Sequence, residues 1–280
     1  MQHHTVTGGG GVQLHVVETG NLDGPPVLFI HGWSQSHVSW ARQLNSSLRQ
    51  TLRLIALDNR GQGDSEKPSS GYDDSRLWAD EIQAVISSLS LNKPVLSGWS
   101  YGGFIMNDYV RHHGQEEIRA LNYVGAATDL GVETPYMFLG NAWEGLLPAE
   151  GASPAGTVFS DAAEDAAMAM RHFVQRCVAK PLPLDEELLM LGLDLMTPPR
   201  VRFALFDRQL RNDDVLAQIR VPTLVTHGTA DRVVDIDTGR HIASHIQGSR
   251  LSIYDGIGHA PFWEESDRFN AELAAFVSSL

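Results

Sequence analysis

The stretch that most restricts the fold is Pro94-Val95-Leu96-Ser97-Gly98-Trp99-Ser100-Tyr101-Gly102-Gly103, followed by Phe104-Ile105-Met106. The short apolar run reads as a strand. Glycines two positions either side of Ser100 permit a turn so tight that a Cβ at either place would strike the flanking backbone. A G-x-S-x-G turn between a strand and a helix forces its serine out of the sheet and exposes the hydroxyl. The helix behind it aims N-terminal amides at the serine, where they favour negative charge. Alone, the five-residue pattern also fits an ordinary glycine turn, so its meaning depends on what the rest of the chain supplies.

Around this turn, strand and helix patterns alternate. Thr5-Val6-Thr7 and residues 12–18 read as two strands joined through Gly8 to Gly11. Pro26-Val27-Leu28-Phe29-Ile30 is continuously apolar, as in a strand buried on both faces of a parallel sheet. It runs into His31-Gly32-Trp33-Ser34, after which Trp40, Leu44 and Leu48 repeat at helical spacing behind Ser36, a predicted N-cap. Residues 52–57 form the next strand, ending in Asp58-Asn59-Arg60-Gly61-Gln62-Gly63-Asp64-Ser65. Asp74 caps a helix whose stripe is Trp78, Ile82, Val85, Ile86 and Leu89. The strand before Ser100, a helix over about 101–112 and a strand over 120–126 follow. Such alternation predicts right-handed βαβ units and a mostly parallel central sheet flanked by helices, an α/β fold.

The alternation stops between residues 128 and 214, which predicts an inserted helical cap and leaves 1–127 and 215–280 as the core. Within the cap, Ser160 is the expected cap of a helix with Asp161, Glu164 and Asp165 at its start and Arg171, Arg176 and Lys180 toward its end, stopped by Pro181. Further helices are expected over 185–194 and 199–206. Met137, Met168, Met170, Met190 and Met196 lie in this segment with Tyr136, Phe138, Trp143, Phe159 and Phe173. They suit an adaptable apolar roof, and equally the cap's own small core. The core resumes with a strand and turn over 221–228, a helix over 238–246, a strand over 251–254 and a closing helix carrying Phe269, Leu273 and Phe276 on one face.

The chain carries 21 basic and 34 acidic residues, a net charge of −13, which argues against a nucleic-acid backbone or an anionic membrane as partner. Neutral or cationic small molecules fit better, and the composition is compatible with a homodimer. No apolar run approaches the roughly 20 residues of a membrane span. The N-terminus lacks the basic and apolar regions of a secretory signal. Cys177 is the single cysteine, so neither an internal disulfide nor a cysteine-rich metal site is expected, and a cytoplasmic setting is. The adjacent histidines His3, His4, His112 and His113 read as surface residues, and no metal is expected.

A serine hydroxyl is a poor nucleophile at neutral pH and needs a base held by a third group. In open α/β sheets such groups collect at the carboxyl ends of strands. Asp231 follows the strand over 223–226, and His259 follows the strand over 251–254, so both are expected at the same sheet edge as Ser100. His31-Gly32-Trp33, the 58–65 segment, Gly98-Trp99-Ser100-Tyr101-Gly102-Gly103, His227-Gly228-Thr229-Ala230-Asp231 and Gly258-His259 stand in the order found in the α/β-hydrolase superfamily. The chain resembles that superfamily through the whole core on both sides of the cap, and in particular its serine esterase and cofactor-free haloperoxidase (perhydrolase) branch. The resemblance implies Ser100 as nucleophile, His259 as general base and then acid, and Asp231 as the carboxylate orienting the imidazole. It further implies an oxyanion hole from the backbone N–H groups of Trp33 and Tyr101, and no cofactor. Asp129, after the strand before the cap, is the second candidate acid. His31, His227 and His241 are expected to be structural or exposed, and Asp58, Arg60 and Asp64 to tie down a loop.

Haloalkane dehalogenases and epoxide hydrolases are similar in scaffold but place an aspartate where this chain has Ser100. Epoxide hydrolases also carry proline two residues after His-Gly, where this chain has Ser34. The expected function is therefore hydrolysis of a small to medium, largely apolar carboxylic ester or lactone. Trp33, Trp99 and Tyr101 lie beside the site, and Trp99, Tyr136, Phe138 and Trp143 are the expected pocket walls. Perhydrolase, C–C bond hydrolase, acyl-homoserine lactonase and acyltransferase activities use the same residue set and stay open, as does a non-catalytic ligand receptor that has kept the fold.

Overall fold

The computed structural model describes residues 1–131, 140–149 and 151–280. Its eight strands are β1 (Gln2–Thr7), β2 (Gln13–Gly20), β3 (Pro26–Ile30), β4 (Arg53–Leu57), β5 (Val95–Trp99), β6 (Ala120–Val124), β7 (Thr223–Gly228) and β8 (Arg250–Tyr254). They form one sheet in the order β1-β2-β4-β3-β5-β6-β7-β8. β1 and β2 make the antiparallel hairpin expected of the glycine turn, and β2 is also antiparallel to β4; every other pair is parallel. Every residue of β3, β5 and β6 is buried, which is why β3 reads as an unbroken apolar run and why none of the three shows a polar, solvent-facing alternation.

Helices cover both faces. In the first half of the core they are α1 (Ala41–Leu44), α2 (Ser75–Ser88) and α3 (Gly102–His113). Between β6 and β7 lie α4 (Ala163–Cys177), α5 (Leu184–Leu195) and α6 (Pro199–Phe206), and then α7 (Asp213–Leu216). After β7 come α8 (Ile236–His245), α9 (Pro261–Glu264) and α10 (Ser266–Ser278). The Asp74 carboxylate accepts from the Arg76 amide and starts α2, whose Trp78, Ile82, Val85 and Ile86 are buried. On the opposite face Trp40 packs between Phe29 and Phe262, with ring centroids 4.7 and 4.3 Å away.

Trp40, Leu44 and Leu48 share a buried face, but not on one helix. Two 3-10 turns, His37–Trp40 and Ser47–Gln50, flank the four-residue α1. Ser46 explains the break: its hydroxyl donates to Gln43 O and accepts from Leu48 N, competing with the helical ladder. Ser36 does cap the first turn, accepting from Val38 N.

The segment between β6 and β7 leaves and re-enters the core through an antiparallel bridge between Leu130 and Leu210. Here α4 starts at Ala163, later than Ser160, whose hydroxyl accepts from Ala162 N in a turn ahead of the helix. It ends at Cys177, ahead of Pro181, because Val178 turns to extended backbone and Cys177 O accepts instead from His259 N at 2.8 Å. Met170 and Met190 are buried, whereas Met168 and Met196 are 59% and 42% exposed. Met137 lies outside the described residues. No helix among the described residues is long and apolar enough to cross a membrane.

Candidate active site

The turn after β5 is built as its sequence requires. Ser100 has φ 53°, in the left-handed region that costs a non-glycine residue about 1 kcal/mol or more. Its N–H donates to Val124 O at 3.0 Å, and its carbonyl accepts from Gly103 N at 3.0 Å. These bonds pin the strained residue between β6 and α3. A Cβ on Gly98 would come within 2.7 Å of Gly102 O, and one on Gly102 within 2.5 Å of Ile30 O. Only glycine fits either place.

Asp231 and His259 leave the carboxyl ends of β7 and β8 and meet in the interior. His259 Nδ1 lies 2.8 Å from Asp231 Oδ2, and both side chains are buried. The second carboxylate oxygen, Oδ1, accepts from Val233 N at 2.8 Å and Val234 N at 3.0 Å. Burial alone would raise the pKa of Asp231, but the imidazoles of His259 and His227 hold the carboxyl well below the usual carboxylate range. Asp231 thus stays an acceptor and fixes the proton of His259 on Nδ1, which puts the lone pair on Nε2. The imidazole is also fixed through its backbone: His259 O accepts from Trp99 Nε1 at 2.9 Å, and its N–H is taken by Cys177 O.

His227 is a partner that the sequence did not reveal. Expected to be structural or exposed, it is fully buried at the end of β7, with Nε2 3.2 Å from Asp231 Oδ2 and 2.9 Å from Val234 O. Both neighbours are acceptors, so Nε2 carries a hydrogen. Burial pulls its pKa down, yet the Asp231 carboxylate outweighs that and raises it. Its position as the residue before Gly228, four before Asp231, was the available signal.

The loop after β3 reaches the serine. A Cβ on Gly32 would stand 3.2 Å from Ser100 Cβ. His31 supports this loop as expected: Nε2 accepts from Asn59 N at 3.0 Å and Nδ1 lies 2.8 Å from Gly32 O. Burial pushes its pKa down to about 4, so it is neutral at physiological pH. Among the described residues, neither the Trp33 nor the Tyr101 backbone N–H has a hydrogen-bond acceptor. The Trp33 indole meets Trp143, Phe159, Phe173 and Phe206 edge-on, with centroids 5.4 to 6.2 Å apart. The Tyr101 side chain is not among the residues lining the pocket, its hydroxyl donating to Leu205 O while Arg208 lies over its ring.

A narrow cavity, with about 50 Å³ of room, is lined by Ser100, His259, Gly32 and Trp33. Trp99, Trp143, Phe173, Val174, Leu182, Met190, Phe262 and Trp263 form its apolar walls; Gln35, Ser39 and Asp194 also line it. Tyr136 and Phe138 lie outside the described residues. The contributions of Leu182, Phe262, Trp263, Gln35 and Asp194 had no local signal, because they arrive from four separate segments. Cys177 lines the same cavity, and burial raises its thiol pKa well above the usual value, which disfavours a thiolate there.

The remaining candidates lie elsewhere. Asp129 accepts from Asn212 N at 3.0 Å. Asp58 and Arg60 tie down their loop: Arg60 pairs with buried Glu81 at 2.7 Å and donates to Gly71 O and Gly9 O. Asp64 contributes its backbone N–H to Asp58, its own carboxylate being 61% exposed. His241 lies 2.7 Å from Asp213, His112 reaches Ser75, His113 pairs with Asp80, His4 with Glu18, and His3 with His15. His15, His37 and Asp58 bring metal-ligand atoms close together. However, the Asp58 carboxylate already accepts from both imidazoles and from the His37 and Asp64 backbone amides, so the cluster is a clamp.

The family model for the alpha/beta hydrolase fold matches residues 25–266. The chain belongs to the α/β-hydrolase family. This hydrolase superimposes on the esterase RhEst1 from Rhodococcus sp. ECU1013 with a TM-score of 0.91 and 35% identity, covering 100% of both chains. It is 30% identical to the AB hydrolase superfamily protein YisY of Bacillus subtilis, over 96% of each chain. It is 27% identical to the bifunctional esterase/perhydrolase DCH of Acinetobacter calcoaceticus, over 98% of this chain and 99% of that protein. The hydrolase therefore falls in the esterase and haloperoxidase-like branch of its family, and it is an enzyme.

Proposed function

We propose that this hydrolase cleaves carboxylic esters with small, largely apolar acyl groups through an acyl-enzyme on Ser100. The observation that carries the reading is the buried 2.8 Å His259–Asp231 contact at the wall of the cavity that Ser100 lines. Ser100 Oγ attacks the ester carbonyl while His259 Nε2 takes its proton. The Trp33 and Tyr101 amides hold the oxyanion, a contribution of about 3 kcal/mol per donor. The alcohol leaves with the proton from His259. Water then adds to the acyl-enzyme by the same base, and the acid departs. Residues 128–214 act as a helical cap that roofs the acyl site, and about 50 Å³ of room favours short chains. The esterase likeness of RhEst1 supports the ester as substrate, and the name of the DCH protein supports a second use of the acyl-enzyme, in which hydrogen peroxide replaces water and a peracid forms.

The test is turnover of p-nitrophenyl esters from acetate to decanoate, beside Ser100→Ala. Turnover that peaks at short chains and drops by about 10⁴-fold or more in a folded Ser100→Ala protein is expected. Activity that survives the substitution would rule out the serine mechanism.

A further inference from the structure

Apart from Ser100, His259 and the Cys177 thiol, the polar side chains lining the acyl cavity form one connected chain. Ser39 Oγ donates to Gln35 Oε1 at 2.8 Å, and Gln35 Nε2 donates to Asp194 Oδ1 at 2.8 Å. All three residues line the cavity with Ser100 and His259. Asp194 is completely buried on α5, and its second oxygen, Oδ2, has no hydrogen-bond partner among the described residues. A buried polar atom without a partner is costly, and this one, among several in the fold, belongs to a residue that lines the cavity. The residue is also held firmly where it is, since its carbonyl accepts from Ser34 Oγ at 2.8 Å. Ser34 itself has φ 59° and is fixed by Gln62 Oε1, so the strained loop beside Trp33 and the carboxyl on α5 form one unit.

We infer that Asp194 is a specificity-determining residue that donates a hydrogen bond from Oδ2 to an oxygen substituent on the acyl part of the substrate. The natural ester is then an oxygen-bearing one, an ether, keto or hydroxy acyl ester, rather than a plain alkanoate. The direction of the bond follows from the chain of contacts. Gln35 Nε2 donates to Oδ1, so a proton on the carboxyl belongs on Oδ2. Burial supports this by pushing the carboxyl well above the usual carboxylate range, against the opposing pull of Gln35 and the buried Arg202 guanidinium. A site built to hydrogen-bond a substrate oxygen also discriminates strongly, because a substrate lacking that oxygen leaves the buried group unpaired.

The inference rests on the ester-hydrolase reading, so the experiment separates the two. Matched p-nitrophenyl esters differing by one CH₂-to-oxygen exchange are compared, butyrate with methoxyacetate and valerate with 3-methoxypropionate. The parent, Asp194→Asn and Asp194→Leu are assayed in parallel. The intrinsic reactivity of each ester cancels when the oxygen-to-methylene ratio of kcat/KM is compared between proteins. For at least one pair, that ratio is expected to fall about tenfold in Asp194→Leu and to be largely kept in Asp194→Asn, whose amide still donates. An unchanged ratio for both pairs in folded Asp194→Leu overturns the assignment. Loss in both variants together with a preference for cationic esters also overturns it, since that pattern belongs to a carboxylate. Binding of the non-hydrolysed amides, valeramide against 3-methoxypropionamide, is read by thermal shift in the same proteins. A larger shift by the oxygen-bearing amide in the parent, abolished in Asp194→Leu, supports the subsite even if no ester is turned over; equal shifts in the parent overturn it.

Discussion

At the scale of single residues, the proposed base depends on a carboxylate shared between two imidazoles. Asp231 Oδ2 receives His259 at 2.8 Å and His227 at 3.2 Å, while Oδ1 is filled by two backbone amides. Asp231→Asn would present an amide N–H or a weaker acceptor to His259 and favour the wrong tautomer, so kcat is expected to fall about 10³- to 10⁴-fold. His227 does not line the cavity and acts through Asp231, as a positioning residue. His227→Phe should lower kcat about tenfold with KM little changed, while His227→Gln, which retains a donor, restores most of the rate; steady-state kinetics on one short ester reads both. Equal losses in the two variants would mean that His227 only fills space. That Ser100, Asp231 and His259 come together was legible because strand ends are easy to locate, and the proposed catalytic roles rest on that placement. The role of His227 was not, because a histidine inside an apolar strand gives no sign of which face or partner it meets.

Among elements, the core was read correctly where each strand is buried on both faces, since unbroken apolar runs such as Val27 to Ile30 have few other solutions. The segment between β6 and β7 was legible only as helices. Which of its residues face the pocket depends on how α4 and α5 lie on the core, and that is settled by contacts from distant sequence. Glu264, on α9, is an example. Its Oε1 accepts from Gly258 N at 2.9 Å, and its Oε2 accepts from Ala179 N at 2.8 Å, joining the His259 loop to the chain leaving α4. A Cβ on Gly258 would lie 2.7 Å from Ala179 N, so the two backbones are in direct contact there. No periodicity marks such a clamp. Glu264→Ala leaves two amides without their acceptor and should cost about 1–3 kcal/mol, seen as a lower urea midpoint. Because the loosened loop carries His259, kcat should fall more than KM rises. A stability loss with unaltered kcat would show that α4 and the His259 loop are held together by other contacts.

For the whole molecule, the sheet's antiparallel end is joined to the segment that follows β3 through Asp58. This carboxylate, at the end of β4, accepts from His15 on β2, from the backbone and imidazole of His37 beyond the β3 loop, and from the Asp64 amide. Burial would raise its pKa, but the two histidines hold it far below the usual carboxylate range. Its contribution is therefore present at neutral pH and lost only as pH falls through the acid range. His15 behaves oppositely. The hydrogen bond to Asp58 raises its pKa above 6.5, burial opposes, and Asp64, 4.0 Å away, adds to the rise. Also facing it are His3, at 2.9 Å on its other nitrogen, and His37, whose ring lies edge-on at 4.9 Å. A histidine more basic in the folded state stabilises fully below about pH 6.5, and that stabilisation fades as pH rises through its folded pKa. Between pH 6 and pH 8 the His15 side of the clamp should change. His15→Ala is accordingly expected to cost about 1 kcal/mol more at pH 6 than at pH 8 in urea unfolding. An equal cost at both values would assign the titration to another member of the cluster, and a larger cost at pH 8 would reverse the sign and refute the charged His15–Asp58 bond.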